Sequence, residues 1–291
     1  MPDVFFCEIL ENEPLAKDIF SIKMKCEEIA KEAVAGQFLH IKCGEERILR
    51  RPISICDVNG DEVRIVFEIK GEGTKWLSEC KAGQELNVLG PLGNGFGMPK
   101  SDVSHGNNTQ DSTIQDNATQ NSAEKDKKII VIGGGIGTPP MLYVAKKAKA
   151  AGLNVTAILG FRNKDNCILA DEFKAICDDV IITTDDGSAG IQGTVIKPLT
   201  KLLEEESINA VMSCGPLVMQ KAVAKSASQH KVNCQVSLEE RMGCGVGACL
   251  VCACATYEHN GKTEEPKMSH VCKDGPVFFA DEIDWQSGGA L

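Results

Sequence analysis

The sequence predicts a multidomain protein with an antiparallel β-barrel, an α/β domain with a parallel sheet, and a small cysteine-rich C-terminal domain. Short strands broken by turns occupy residues 3–98, strands alternate with helices from residue 128, and cysteines cluster between residues 244 and 272. Short, closely spaced strands favour a barrel, whereas strand and helix alternation favours a parallel sheet. We expect domains at residues 1–99, 128–230 and 231–291, with an insert at residues 100–127.

Composition limits the possible partners. The chain has 291 residues, enough for two or three domains, and a formal net charge of −10 without a long basic run, so nucleic acid is not an expected partner. No apolar stretch reaches the roughly 20 residues that span a bilayer, so no membrane association is expected. Fourteen cysteines without a signal peptide indicate a reducing, cytoplasmic location.

One tetrapeptide of the barrel contains residue types that are suited to binding a cofactor. Five strands are predicted there: Phe5 to Leu10, Ile19 to Lys25, Gln37 to Lys42, Val63 to Ile69 and Glu85 to Leu89. Arg51-Pro52-Ile53-Ser54 follows the third of them. The Arg51 guanidinium has the planar donor fork that pairs with a diphosphate, and the Ser54 hydroxyl suits the polar edge of a flavin ring. The alternative is an exposed arginine beside a proline turn.

A second phosphate-type feature follows on the same barrel. Gly71 to Leu77 is typical of a glycine turn that opens a helix, with Thr74 as its N-cap. Free amides at a helix start favour a bound phosphate, although an ordinary capped helix has the same sequence pattern. Beyond the barrel, residues 100–127 are almost entirely polar and are predicted to form a disordered loop.

The α/β domain begins with a buried-type strand, Lys128 to Ile132, and a glycine loop before a helix that ends near Ala150. This arrangement aims backbone amides at a pyrophosphate. Pro140 replaces the third glycine of the usual dinucleotide fingerprint, and Arg162 follows the next strand where an acidic residue is common. Arg162 would face a 2′-phosphate or lie in a solvated loop, so the sequence leaves NAD and NADP open. The candidate loop contacts are Gly133, Gly135, Gly137 and Thr138.

Further strand ends are predicted at Asp185 and at Cys214-Gly215-Pro216. Ligands of open parallel sheets bind at the carboxyl ends of the strands. Cys214 therefore has two interpretations, a contact beside a nicotinamide ring and a buried structural thiol.

The C-terminal cysteines have the most specific spacing in the chain. Cys244, Cys249 and Cys252 follow the Cys-x4-Cys-x2-Cys pattern, and Cys272 comes 19 residues further on (272 − 252 − 1). This is the pattern by which plant-type ferredoxins hold a [2Fe-2S] cluster in four thiolates. Glycines at 243, 245 and 247 allow the loop to bend so that amides point at the sulfurs.

A zinc site and a disulfide framework are the alternatives to an iron-sulfur cluster for these cysteines. A zinc site would combine Cys249 and Cys252 with two ligands from the set Cys254, His259, His270 and Cys272, but a second Cys-x2-Cys pair is missing. A disulfide framework suits small secreted chains, whereas this chain is long and scatters its other cysteines singly. Cys254 is a spare thiol that could compete with Cys252 as a ligand, although the Cys-x4-Cys-x2-Cys spacing favours Cys252.

Taken together, the motifs resemble the ferredoxin-reductase superfamily. The segment Ser237 to Met242 before the cysteines, and Val271 to Phe278 after the third of them, look like the electron-transfer subunits of NAD-dependent (class 1B) dihydroorotate dehydrogenases. The insert and the 19-residue cysteine separation depart from that pattern. The rest of the chain resembles it.

The resemblance implies FAD on the barrel, NAD on the α/β domain and one [2Fe-2S] cluster near a separate FMN-containing catalytic subunit, in a heterotetramer. The sequence offers no candidate residue for proton abstraction from dihydroorotate, so we expect that chemistry on the partner subunit. The alternative oxidoreductase passes electrons between NAD(P)H and ferredoxin or sulfur compounds, and a structural zinc protein is the alternative outside the enzymes. The implied FAD contacts are Arg51, Pro52, Ile53, Ser54, Glu68, Ile69, Lys70, Gly73 and Thr74.

Overall fold

A computed structural model of the protein describes residues 3–99, 127–259 and 265–286. The disordered insert predicted at residues 100–127 lies outside the described residues except for its last position. Across the described ranges, the helices are too short or too polar to cross a membrane.

The N-terminal part is a closed, six-stranded antiparallel barrel with the strand order β1-β2-β5-β4-β3-β6. Along β6, buried residues alternate with less buried ones, because side chains in a strand point in turn to the barrel interior and to its outside. The elements are β1 (Asp3–Ala16), β2 (Ile19–Lys25), α1 (Glu27–Glu32), β3 (Phe38–Ile41), β4 (Arg51–Asn59), β5 (Glu62–Glu68), α2 (Glu72–Glu79) and β6 (Glu85–Leu92).

Strand β4 was missed by the sequence analysis. It starts at Arg51, so the tetrapeptide thought to follow a strand is itself the beginning of one. A register shift between Ile55 and Asp57, where β4 pairs with β5, breaks the two-residue alternation that identifies strands in a sequence.

The second part is a seven-stranded sheet with the order β10-β9-β8-β7-β11-β12-β15. All pairings in it are parallel except that β15 runs antiparallel to β12. The elements are β7 (Lys128–Gly134), α3 (Thr138–Ala150), β8 (Asn154–Phe161), α4 (Ala170–Ile176), β9 (Asp179–Thr184), β10 (Ile191–Gln192), α5 (Ile196–Glu205), β11 (Ala210–Cys214), α6 (Leu217–Gln229), β12 (Asn233–Ser237), β13 (Ala253–Thr256), β14 (Lys267–His270) and β15 (Val277–Phe279).

The sheet therefore continues past residue 230, since β12 and β15 complete it. Between those two strands the chain forms the cysteine loop and a separate two-stranded sheet, β13 paired with β14. The barrel, the parallel sheet and the small C-terminal unit confirm the predicted fold class.

The barrel and the parallel sheet share one apolar core. Helix α3 packs on β4, and the Tyr143 hydroxyl donates to the carbonyl of Ala33 at 3.1 Å. Arg64 of β5 reaches across to Glu172 of α4, with guanidinium to carboxylate distances of 3.0 and 2.7 Å. These contacts fix the two parts relative to each other, and with them the clefts that lie between.

Candidate functional site

Two adjoining cavities lie where the barrel meets the parallel sheet. The first, of about 580 Å³, is lined by β4, the end of β5 and the segment that leads into the cysteines. The second, of about 440 Å³, lies at the carboxyl ends of the parallel strands. Glu68, Lys70, Ile136 and Glu239 line both cavities, so ligands in the two would meet at these four residues.

The two phosphate-type features of the barrel come together in the first cavity. A Cβ atom on Gly73 would lie 2.5 Å from Nε of Arg51, so the absence of a side chain there lets the guanidinium rest against the first turn of α2. A cationic donor fork and the first turn of a helix thus lie side by side. The arrangement is suited to a diphosphate.

The prediction that Thr74 is the N-cap of α2 is wrong. The helix begins at Glu72, with Gly71 as the N-cap and Thr74 at the third helical position. The Thr74 hydroxyl turns back, accepts from the amides of Lys70 at 2.9 Å and Gly71 at 3.3 Å, and donates to the Gly71 carbonyl at 3.1 Å. Closing the turn from that position lets the helix start three residues earlier than expected.

Most of the other barrel residues that were predicted to contact FAD line the first cavity. Pro52, Ile53, Ser54, Glu68 and Lys70 do so, and Ile69 does not.

The far wall of the first cavity was not identified as a binding surface from the sequence. It is formed by the segment from Ser237 to Met242, which the sequence analysis treated only as the lead into the cysteines. Three consecutive charged residues one position beyond the end of β12, Glu239, Glu240 and Arg241, are the feature that could have identified this wall. Arg50, next to the predicted tetrapeptide, also lines the cavity.

Glu239 stands at the junction of the two cavities. Its side chain is open to the clefts. The surrounding protein still removes water from around the carboxyl, and this desolvation raises its pKa. The nearby Lys70 ammonium opposes this rise in pKa, while the Glu68 carboxylate adds to it. A carboxyl with a raised pKa in a cleft is a frequent property of functional sites.

The second cavity is lined by glycine-rich loops at the strand ends and by polar side chains. Gly135, Gly215 and Pro216 line it together with Arg162 and Asp185. Arg162 and Asp185 follow adjacent strands, so a cation and a carboxylate face the same space.

Four other candidates of this region lie beneath that lining. Gly133, Gly137, Thr138 and Cys214 are absent from it among the described residues. An added Cβ on Gly137 would lie 2.5 Å from the carbonyl of Cys214, so the glycine loop packs directly on the end of β11. Cys214 is fully buried, and burial raises the pKa of its thiol. This placement favours the structural-thiol interpretation.

The four predicted cluster ligands are drawn together by backbone amides. The amide of Cys244 donates to Sγ of Cys249 at 3.3 Å, and the amide of Cys272 donates to Sγ of Cys252 at 3.4 Å. The consecutive amides of Gly247 and Ala248 link these pairs, reaching Sγ of Cys272 at 3.1 Å and of Cys244 at 3.2 Å.

Gly247 makes this possible because its φ of +80° lies in the left-handed region that other residues rarely adopt. Burial opposes ionisation of the Cys244 thiol, but amides from Val246 and Ala248 outweigh it and lower its pKa to about 6. Four sulfurs in two pairs, with amides directed at them, match the donor set of a two-iron cluster.

Each histidine that was a candidate zinc ligand contacts an aspartate through its Nδ1 atom. His259 contacts Asp281 at 2.9 Å, and His270 contacts Asp274 at 3.3 Å. Within the described ranges, no three His, Cys, Asp or Glu side chains are grouped to hold a single metal ion. Cys254 packs in the apolar core below the loop, and burial raises the pKa of its thiol to about 12.

Comparisons with known proteins agree with this geometry. A family model for the iron-sulfur cluster binding domain of dihydroorotate dehydrogenase B matches residues 239–284. The electron transfer subunit of dihydroorotate dehydrogenase B (NAD(+)) from Caldanaerobacter subterraneus subsp. tengcongensis is 36% identical over 275 residues, covering 94% of this chain and 96% of that protein. The subunit of the same name from Streptococcus mutans is 37% identical over 278 residues, covering 94% and 96%.

A solved structure is also similar along the whole chain. It is that of an NADH-dependent reduced ferredoxin-NADP oxidoreductase, described for flavin-based electron bifurcation. The two share 31% sequence identity and a TM-score of 0.79, over 97% of this chain and 91% of that one.

A barrel, a parallel-sheet domain and a four-cysteine loop on one chain define the class of iron-sulfur oxidoreductase subunits that transfer electrons. Within that class, the chain belongs to the family of electron transfer subunits of dihydroorotate dehydrogenase B (NAD(+)).

Proposed function

We propose that this chain passes electrons from an FMN-containing dihydroorotate dehydrogenase catalytic subunit, through a [2Fe-2S] cluster and FAD, to NAD⁺. The two kinds of subunit would form a heterotetramer that serves pyrimidine biosynthesis in the cytoplasm. The observation that carries the proposal is the continuity of three sites on one chain. The cysteine loop adjoins the first cavity, since Met242 lines that cavity two residues before Cys244, and the first cavity adjoins the second.

FAD is the proposed ligand of the first cavity. Arg51 and the start of α2 would hold its diphosphate, and Ser54 would hydrogen-bond the polar edge of its ring. Pro52 and Ile53, with Leu238 on the opposite wall, give the cavity apolar surfaces that suit the faces of an aromatic ring system.

NAD is the proposed ligand of the second cavity. The amides of the loop from Gly133 to Thr138 would approach the pyrophosphate, and Gly215 and Pro216 would lie along the nicotinamide end. Asp185 would accept from a ribose hydroxyl, and its carboxylate would offset the attraction of Arg162 for a 2′-phosphate, which favours NAD over NADP. Glu68, Lys70, Ile136 and Glu239 would exclude water from the place where the two ligands meet.

Cys244, Cys249, Cys252 and Cys272 are the proposed ligands of the two irons. A cluster of this kind exchanges one electron, nicotinamide exchanges a hydride, and flavin can do both, so a flavin between the other two matches one-electron with two-electron chemistry. The protein's part is to hold the three groups close together and to direct backbone amides at the ligand sulfurs.

An apolar surface beside the cluster loop is the proposed contact with the catalytic subunit. Leu250 is 65% exposed and Val251 is 55% exposed, and both lie between ligand cysteines. Exposed apolar side chains around a redox centre suit a dry interface across which electrons pass.

We also propose residues 1–99, 128–230 and 231–291 as the flavin, nicotinamide and cluster domains.

The test is to purify the chain anaerobically with its catalytic subunit and to follow NAD⁺ reduction driven by dihydroorotate. The proposal predicts NADH formation that requires both subunits and that stops in a Cys249→Ala variant. Reduction of ferredoxin or of a sulfur compound by NAD(P)H, without any response to dihydroorotate, would instead establish the alternative oxidoreductase.

A further inference from the structure

A buried histidine, His40, lies between the cluster loop and the first cavity. It sits in the middle of β3, opposite Pro52 of β4 on one side and Leu89 of β6 on the other. Its side chain is 0% exposed. Because β3 is paired along both edges, the backbone that carries the ring is held rigidly in the barrel wall.

The cluster loop packs directly on the ring. A Cβ atom on Gly245 would lie 2.6 Å from Nδ1 of His40, and Gly245 has a φ of +75°. The loop reaches the ring with a bare Cα, one residue after the first ligand, Cys244. Any larger residue at 245 would have to push the loop and the barrel apart.

The other side of His40 is tied to the first cavity. The Arg50 guanidinium donates to the His40 carbonyl at 3.2 Å and to the Asn87 carbonyl at 3.0 Å, and Arg50 lines that cavity. The backbones of both Arg50 and Cys244 lie beside the imidazole. One side chain therefore touches the wall of the first cavity and the segment that carries the first cluster ligand.

The ring has unused hydrogen-bonding capacity. Among the described residues, neither Nδ1 nor Nε2 of His40 has a hydrogen bond of ordinary geometry. A neutral imidazole carries one N–H donor and one acceptor, and buried polar groups nearly always have partners. Nδ1 is the ring nitrogen that faces Gly245, so an N–H there is directed at the backbone of the ligand-bearing loop.

We propose that His40 is a positioning residue, which donates from Nδ1 to the Cys244–Gly245 backbone and so fixes the cluster loop against the flavin-binding barrel. This inference rests on the proposed function. Electron transfer between two centres slows steeply as they move apart, so a small loop displacement would slow the step from one centre to the other without touching either ligand set.

The test compares three substitutions in the holoenzyme purified with its catalytic subunit. His40→Leu removes both nitrogens at similar volume, His40→Asn keeps an N–H near the position of Nδ1, and His40→Gln keeps one near Nε2. Ile41→Val, a mild change at the next buried position of the same strand, is the matched control. The measurements are flavin and iron content, iron loss to a chelator, and rapid-mixing reduction by NADH followed by flavin absorbance and freeze-quench EPR.

In His40→Leu, we expect flavin content and flavin reduction by NADH to match the wild type. Cluster reduction should be about tenfold slower and iron loss to the chelator about tenfold faster, the size of effect typical of groups that orient metal ligands. His40→Asn should recover most of both properties, and His40→Gln should not. Ile41→Val should behave as the wild type.

Three results would overturn the inference. The first is wild-type cluster reduction and iron retention in His40→Leu. The second is equal recovery by the Asn and Gln variants. The third is loss of flavin together with iron in all three variants, which would make the ring a packing residue of the barrel. A wild-type holoenzyme without iron would refute the proposed function itself, so the two failures are distinguishable.

Discussion

The two cavities differ in the residues that line them. Among the described residues that line the first cavity there is no glycine, and its polar groups are side chains such as Arg51, Ser54 and Lys70. The second cavity is lined by five glycines: Gly134, Gly135, Gly160, Gly193 and Gly215. The first site offers its ligand charged and hydroxyl side chains, whereas the second adds the backbone of five glycines to side chains such as Arg162 and Asp185. The first should therefore fail when side chains are removed, and the second when they are added.

The largest effect is expected at the first cavity, from Arg51→Gln. Loss of charge-assisted hydrogen bonds to a diphosphate costs about 1.5–3 kcal/mol, which is roughly a 10- to 100-fold loss of FAD affinity. Arg47→Gln is the matched control, because Arg47 lies outside the lining and its contact with Glu72 is long, at 3.8 Å. Equilibrium dialysis of FAD would show the difference. Equal affinities in the two variants would remove Arg51 from the site.

At the second cavity, the corresponding change adds a methyl group. Gly137→Ala would force a Cβ to 2.5 Å from the Cys214 carbonyl. The clash is with backbone, which cannot move aside as the end of a flexible side chain can. Such overpacking should lower the free energy of unfolding by about 1–3 kcal/mol and displace the glycine loop, so NADH affinity should fall about tenfold while FAD content is kept.

The control for that variant is Gly97→Ala, whose Cβ would meet Gln235 at an ordinary 3.7 Å. Titration of NADH against flavin absorbance and urea unfolding provide both measurements. If Gly137→Ala bound NADH as well as Gly97→Ala does, the glycine loop would not be part of the nicotinamide site.

The smallest effect is expected where the cavities join. The protein raises the pKa of Glu239 above its ordinary value of 4.5, so the folded state binds that proton more tightly than the unfolded state. The free energy of unfolding therefore falls as pH rises through the window that starts near the ordinary pKa. Glu239→Gln removes this loss, so the variant should gain stability relative to the wild type as pH rises.

Urea unfolding of both proteins at pH values on either side of that window checks the slope. Glu11→Gln is a control of opposite sign, because a hydrogen bond from Lys23 lowers the pKa of Glu11 and its contribution is lost as pH falls. A stability difference for Glu239→Gln that does not change with pH would contradict the account of this carboxyl.

The sequence predicted ligand motifs whose residues lie close together along the chain. Cys244, Cys249 and Cys252 lie within nine consecutive residues, so their spacing alone constrains the loop that they form. The barrel and the parallel sheet were also predictable, because turn residues and the alternation of strands with helices repeat along the chain.

What escaped prediction depends on contacts between distant segments. Strand β4 was hidden by a register shift against β5, and the start of α2 was set by a hydroxyl that folds back on its own turn. Glu239 became a candidate only when β12 placed it at the junction of the cavities. His40 is an ordinary strand residue in the sequence, and only the packing of Gly245 on its ring distinguishes it.

The central claim is that four cysteines of this chain hold a one-electron carrier beside a flavin. Iron and acid-labile sulfide analysis of anaerobically purified protein, with flavin measured on the same sample, tests it most directly. The account predicts about two irons and two sulfides per chain, kept in Cys254→Ala and lost in Cys272→Ala. Protein that holds one zinc and no sulfide, or iron that survives Cys272→Ala but not Cys254→Ala, would contradict it.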